Sequence, residues 1–167
     1  MALTLLRHAA PSERYQKTYL GWSDVDIDET LFDASSLSLL HASSFDCIYS
    51  SDLKRCTQTL DRLGFTYTSD ARLREVKFKE EIEMKRFEEI EKLPSFSPEY
   101  LSSEAAWFSY ISEESAAHFS QRVQSFLDEL NPKHTTLICA HKGTLNHILQ
   151  CLGKKPFRFD YLEAYCL

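Results

Sequence analysis

Short apolar runs alternate along this chain with stretches whose apolar residues recur at helical spacing, and this alternation limits the fold more than any other feature. The runs at 2–6, 47–49 and 135–140 read as buried strands. Between them, Leu53, Cys56, Leu60 and Leu63 fall on one helical face, with Ser51 or Asp52 as N-cap and Gly64 as the stop. A clearer helix carries Ala116, Phe119, Val123, Phe126, Leu127 and Leu130 and closes at Asn131-Pro132. Leu145, Ile148, Leu149 and Leu152 begin another, which ends at Gly153. Strands that alternate with helices in this way predict an α/β fold, a three-layer α/β/α sandwich with a mostly parallel central sheet.

Other segments are assigned with less periodicity behind them. Leu31, Phe32, Leu37 and Leu40 predict a helical stripe to about His41, residues 65–68 a third strand, and residues 157–167 one or two closing strands. The Lys- and Glu-rich stretch 77–92, with Ile82, Phe87 and Ile90 interspersed, predicts an exposed amphipathic helix broken by Pro94 and Pro98. Trp107, Phe108 and Tyr110 form an aromatic cluster after it, for which core packing is the expected role. A chain of 167 residues is of single-domain size, so residues 1–167 are expected to form one domain, with 77–111 as a cap or substrate-specificity insertion.

Composition excludes several classes of function. With 43% hydrophobic and 26% charged residues and no repeat, this is the make-up of a globular protein. A net charge of -6 opposes a general nucleic-acid or anionic-membrane surface, which selects for excess Lys and Arg. No apolar run nears the roughly 20 residues that cross a bilayer, and Arg7-His8 interrupts the N-terminal run, so the expected location is the cytoplasm. The five cysteines, Cys47, Cys56, Cys139, Cys151 and Cys166, contain no CxxC pair and read mostly as buried small apolar residues. Only four glycines are present, with no GxxxxGK pattern, which removes a P-loop. His141 and His147 lack the spacing of a helical zinc site, and no metal or other cofactor is expected. Ser50 and Ser51 lack a nucleophile-elbow context and read as helix-capping residues.

The strongest chemical signal lies at the ends of two apolar runs. Residues 2–6 lead into Arg7-His8, and Leu137-Ile138-Cys139-Ala140 into His141. In an open parallel sheet, ligands bind outside the carboxyl ends of the strands, so both histidines could converge on one site. A fixed cation beside an imidazole suits a phosphoryl group, which needs charge neutralisation and a nucleophile or acid. The long polar connection after His8 belongs to the kind that usually has a functional role.

Ordered motifs extend this reading. Arg7-His8-Ala9, the stretch GWSDVDID at 21–28, SSDLKRCTQT at 50–59, Leu73-Arg74-Glu75 with Phe78, and His141 with Gly143 together resemble the histidine phosphatase superfamily that includes the phosphoglycerate mutases. The resemblance covers most of the chain and implies a phosphoglycerate mutase-like fold. It also implies a metal-independent phosphatase that hydrolyses a small phosphomonoester through a phosphohistidine on His8, with Glu75 as acid and base. Arg7, Arg55 and His141 would hold the phosphoryl oxygens, and Arg14, Gly21 and Trp22 are further candidates for substrate binding. Size and opening loop are similar to the alpha-ribazole phosphatases. A mutase-type transfer, or a catalytically weak module that binds phospho-ligands or phosphoproteins, are the alternatives. The implied partner is a small phosphorylated metabolite, with neither nucleic acid nor membrane. Three residues depart from the family pattern: Ala9 stands where glycine is usual, Arg14 where many members carry Asn, and Lys79 where glycine commonly follows.

Overall fold

The computed structural model describes residues 2–37, 40 and 44–167. Five strands form one sheet: β1 (Ala2–Arg7), β2 (Cys47–Ser50), β3 (Thr68–Ser69), β4 (Thr135–Ala140) and β5 (Ala164–Cys166), in the order β3-β2-β4-β1-β5. All neighbours run parallel except β5, which pairs antiparallel with β1 at one edge. The two central strands, β1 and β4, are buried on both sides of the sheet. Such strands read as continuous apolar runs, and for that reason the sequence betrayed them.

Side chains of alternate residues point to opposite faces. Leu3, Leu5, Ile138 and Ala140 pack on one face against α4 (Ala116–Asp128) and α5 (Lys142–Cys151), through Phe119, Val123, Phe126, Leu145, Ile148 and Leu149. Leu6, Leu137 and Cys139 face the other way, onto Cys56 and Leu60 of α1 (Lys54–Arg62). Helices therefore cover both faces of the sheet. Two shorter helices, α2 (Phe87–Ile90) and α3 (Glu104–Ile111), complete the set. Among the described residues, no helix is long and apolar enough to cross a membrane.

Several local expectations fail for tertiary reasons. The stretch 77–92 is not a solvated helix: only Phe87–Ile90 turns helically, and Ile82 and Ile90 are fully buried. Its backbone is engaged elsewhere, because Lys79 N–H donates to Ile111 O, Tyr19 N–H to Lys85 O and Met84 N–H to Tyr19 O. Met84 also adopts φ 67°, which helix geometry forbids. Neither Ser51 nor Asp52 is the N-cap of α1. That place falls to Leu53, Asp52 being paired with Arg74 at 2.6 Å, while Asp24 accepts from Lys54 N–H at 2.7 Å across the loop. The third strand is Thr68–Ser69, which overlaps the expected segment only at Thr68, whereas residues 157–167 contribute one strand as expected. From 29 to 37 the chain forms two short 3-10 turns; part of the expected stripe, at 38, 39 and 41, lies outside the described residues. Of the cysteines only Cys56 and Cys139 are buried, and Cys166 is exposed on the edge strand.

The central position of β4 makes its side chains the most sensitive in the core. Leu137→Ala should lower the unfolding free energy by about 2–5 kcal/mol. A urea titration would show a lower midpoint at unchanged slope, whereas an unchanged midpoint would contradict the placement of Leu137.

Candidate active site

Sheet order brings the chemistry together. β4 lies between β2 and β1, so His141, which follows β4, is flanked by Ser51 after β2 and His8 after β1. Backbone pairing continues one step past the strands: His8 N–H donates to Ala140 O at 3.2 Å and Ser51 N–H to Cys139 O at 2.9 Å. The rings of His8 and His141 lie with centroids 5.1 Å apart. Both line a cavity of about 1180 Å³, together with Arg7, Gly21, Arg55, Glu75 and Gly143.

Hydrogen bonds define the state of each imidazole. His8 Nδ1 lies 2.7 Å from Ala9 O, which can only accept, so Nδ1 carries the proton and Nε2 keeps a bare lone pair. His141 Nδ1 receives the Arg55 Nε–H at 3.2 Å, which puts the His141 proton on Nε2, 2.9 Å from Ser51 Oγ. Burial holds the pKa of both histidines well below 6.5, and the adjacent Arg55 and Arg7 cations push in the same direction. Each imidazole is thus neutral and fixed in one tautomer.

The cations are equally constrained. Arg55 is 1% exposed and donates from Nη2 to Gly21 O and from Nη1 to Ser23 O, both at 2.8 Å. Arg7 donates from Nη1 to Phe159 O at 2.8 Å and stacks on Tyr161, its guanidinium carbon 3.8 Å from the ring centroid. Arg7 Nε is buried with no partner among the described residues. An unpaired buried donor is costly, and the fold leaves this one unsatisfied beside the cavity-lining part of Arg7.

Glu75 sits against the first turn of α5. Its carboxylate accepts from Gly143 N–H and Val76 N–H, both at 3.0 Å. A Cβ at residue 143 would collide with that carboxylate, which explains the glycine beside His141. Gly21 is needed for a different reason. It has φ +51°, and a Cβ there would press on Phe78 at 2.9 Å and Val76 O at 3.1 Å.

Ala9 follows the nucleophile candidate without strain. It is buried, its φ is not positive, and its N–H donates to Thr59 Oγ1 at 2.9 Å. Its methyl group belongs to the buried apolar cluster that includes Leu6 and Cys56. Lys79 likewise avoids positive φ.

Two of the proposed substrate contacts are displaced from the cavity. Arg14 is exposed and lies over the Tyr15 ring at 4.3 Å, outside the lining residues. Trp22 also lies outside the lining; its indole N–H donates to Glu75 O at 2.8 Å and its ring lies against the Arg74 and Lys77 side chains. Of the three candidates, Gly21 alone borders the cavity.

Sequence reading missed the residues that hold the site in place. Arg122 donates to the carbonyls of Arg72, Arg74 and Glu75 and pairs with Glu114 at 2.8 Å, fixing the segment that carries Glu75. Thr144 Oγ1 donates to Arg74 O at 2.8 Å. Glu83 accepts from Trp22 N–H and Ser23 N–H, which fixes the loop whose carbonyls receive Arg55. Arg122 sits in a helix and Glu83 in a charge-rich stretch, and nothing local distinguishes either from a surface ion. Ser51 could have been suspected, because it abuts the strand end that faces His141.

The buried neutral histidines predict a pH dependence of stability. Unfolded, each returns to an ordinary pKa near 6.5, so below that pH the unfolded state binds protons first. Stability is then complete above pH 6.5 and falls as pH drops toward the depressed folded values, by up to about 1.4 kcal/mol per pH unit for each histidine. Thermal melts between pH 7.5 and 5.5 should show this decline in the native protein and a shallower one in His8→Asn. Equal slopes would contradict a buried neutral His8.

Comparison with known proteins identifies the family and the fold. The model of the histidine phosphatase superfamily (branch 1) matches residues 3–163. "Putative phosphoserine phosphatase 2" of Hydrogenobacter thermophilus is 32% identical over 160 residues, covering 90% of this chain and 77% of its own. Solved structures similar in fold include a phosphoglycerate mutase from Thermus thermophilus, with 23% identity and a TM-score of 0.73 over 100% of this chain and 92% of that one. A phosphoserine phosphatase from Entamoeba histolytica in complex with 3-phosphoglyceric acid aligns over 99% of this chain and 89% of that one, with 22% identity and a TM-score of 0.79. With a family match across nearly its whole length and the paired histidines at adjacent strand ends, this chain belongs to the histidine phosphatase superfamily, branch 1.

Proposed function

We propose that this protein is a metal-independent phosphatase that hydrolyses a small phosphomonoester through a phosphohistidine on His8. The observation that carries this reading is the His8 tautomer: Nδ1–H is spent on Ala9 O, and Nε2 is bare beside two arginines. Nε2 attacks phosphorus in line, the new N–P bond forms and the bond to the leaving oxygen breaks. Ala9 O stabilises the cation that develops on the ring. Arg7 and Arg55, both on the cavity wall, neutralise the equatorial oxygens. His141 joins them by turning its Nε2–H from Ser51 to a phosphoryl oxygen.

Glu75, in its carboxylic acid form, supplies the proton that the leaving oxygen takes up and becomes the carboxylate. In the second step it removes a proton from water, which attacks phosphorus and breaks the N–P bond, releasing inorganic phosphate and restoring His8. Its two backbone donors, Gly143 and Val76, keep the carboxylate at the cavity wall. The substrates to compare are phosphosugars, phosphoglycerates, nucleotides, ribazole phosphate and, since a relative is named a phosphoserine phosphatase, phosphoserine.

Incubation with an aryl phosphate in the presence of chelator should give turnover and an acid-labile phosphoenzyme, both lost in His8→Ala. Phosphoenzyme that persists in His8→Ala would refute the nucleophile. If activity with 3-phosphoglycerate yields the isomeric phosphoglycerate instead of glycerate, the transfer is that of a mutase. Glu75→Gln should lower kcat/KM, which reports the first step alone, by about 10²–10⁴-fold for alkyl phosphates. Nitrophenyl phosphate, whose leaving group needs no proton, should suffer much less. Equal losses on both substrates would remove Glu75 from the acid role.

A further inference from the structure

The cavity is larger than the phosphoryl chemistry requires. At about 1180 Å³ it exceeds the roughly 300–1,000 Å³ that holds a drug-sized ligand, so room remains for a sizeable organic group. Part of that remaining space is lined by polar residues such as Gln16, Thr18 and Asn146, and one wall of it is aromatic. Tyr19, Phe78, Phe87 and Trp107 all border the cavity, from chain segments far apart in sequence. Tyr19 meets Phe78 edge-on at 5.3 Å and Trp107 at 6.0 Å, and Phe87 lies 5.7 Å from Trp107. These rings form a continuous wall. Phe87 and Trp107 keep part of their faces exposed, unlike the neighbouring core residue Tyr110.

The wall is held in place by backbone bonds. Tyr19 N–H donates to Lys85 O and Met84 N–H to Tyr19 O, each at 2.9 Å, which ties the segment bearing Phe87 to the loop after His8. A surface already built costs little to organise when a ligand arrives. Charge selects against other occupants. Outside the phosphoryl cluster the lining cations Lys17 and Lys142 are matched by Glu104 and Asp160, so no excess positive charge awaits a second anionic group.

We infer that this aromatic wall is the leaving-group subsite, and that the substrate is a phosphomonoester bearing a planar aromatic or heteroaromatic group. The inference rests on the phosphatase reading above and assigns the specificity role to 77–111 through Phe87 and Trp107. Aromatic groups stack offset or edge-on against such rings, a contact that a polyol or a seryl side chain cannot make.

Phosphonates test this without turnover, since their P–C bond is not cleaved. Calorimetric titration of the whole protein with inorganic phosphate, methylphosphonate and benzylphosphonate should show benzylphosphonate binding at least about tenfold tighter than methylphosphonate, equivalent to about 1.4 kcal/mol. Trp107→Ala and Phe87→Ala should each shrink that ratio severalfold while leaving the affinity for inorganic phosphate unchanged, which also shows that the variant is folded. Equal affinities in the native protein, or a ratio untouched in both variants, would overturn the subsite while leaving the phosphatase reading intact. Failure to bind phosphate at all would overturn both. With the preference established, kcat/KM for phosphotyrosine against a nucleoside 5′-monophosphate tells a phenolic source of the ring from a heteroaromatic one.

Discussion

Arg55 carries its charge at 1% exposure, and the rest of the site is arranged around that buried cation. Burying a guanidinium is expensive unless its donors are satisfied. Here Nε–H goes to His141 and the two terminal nitrogens to the carbonyls of Gly21 and Ser23. Each partner comes from a different part of the chain. Meeting the hydrogen-bond needs of one side chain thereby joins the helix after β2, the loop after β1 and the end of β4. The same cation, with burial, keeps His8 and His141 neutral.

Support for this arrangement comes from further out. Glu83 fixes the loop that receives Arg55, and Arg122, Trp22 and Thr144 fix the backbone around Glu75. Thr59 joins the two halves: it accepts from Ala9 N–H and donates to Arg55 O, so the backbone beside the nucleophile candidate is tied to the buried arginine. The positions of His8 and Glu75 are therefore consequences of side chains that do not touch the cavity. Such groups act through others and are positioning residues.

The sheet also explains why Ala9 is tolerated where glycine is usual. With φ in the ordinary range, a methyl group costs nothing in backbone strain and adds to the buried cluster that includes Leu6 and Cys56. Gly21 and Gly143 are different, because a Cβ at either would meet Phe78 and Val76 O, or the Glu75 carboxylate.

Sequence by itself determined the α/β class, the central strands and the delivery of His8 and His141 to strand ends, because doubly buried strands must be apolar runs and strand ends must be where those runs stop. It also placed Arg55 and Glu75 on recognisable motifs. It could not place Arg14 or Trp22, whose directions depend on Tyr15 and on the Glu75 carbonyl. Nor could it show that 77–92 abandons its helical preference, since buried contacts of Ile82 and Ile90 and backbone bonds to distant segments outweigh local propensity. Only the tertiary structure decided which charged residues were buried partners and which aromatics faced the cavity. Charge and ring type are local properties, whereas burial and direction are set by residues far along the chain.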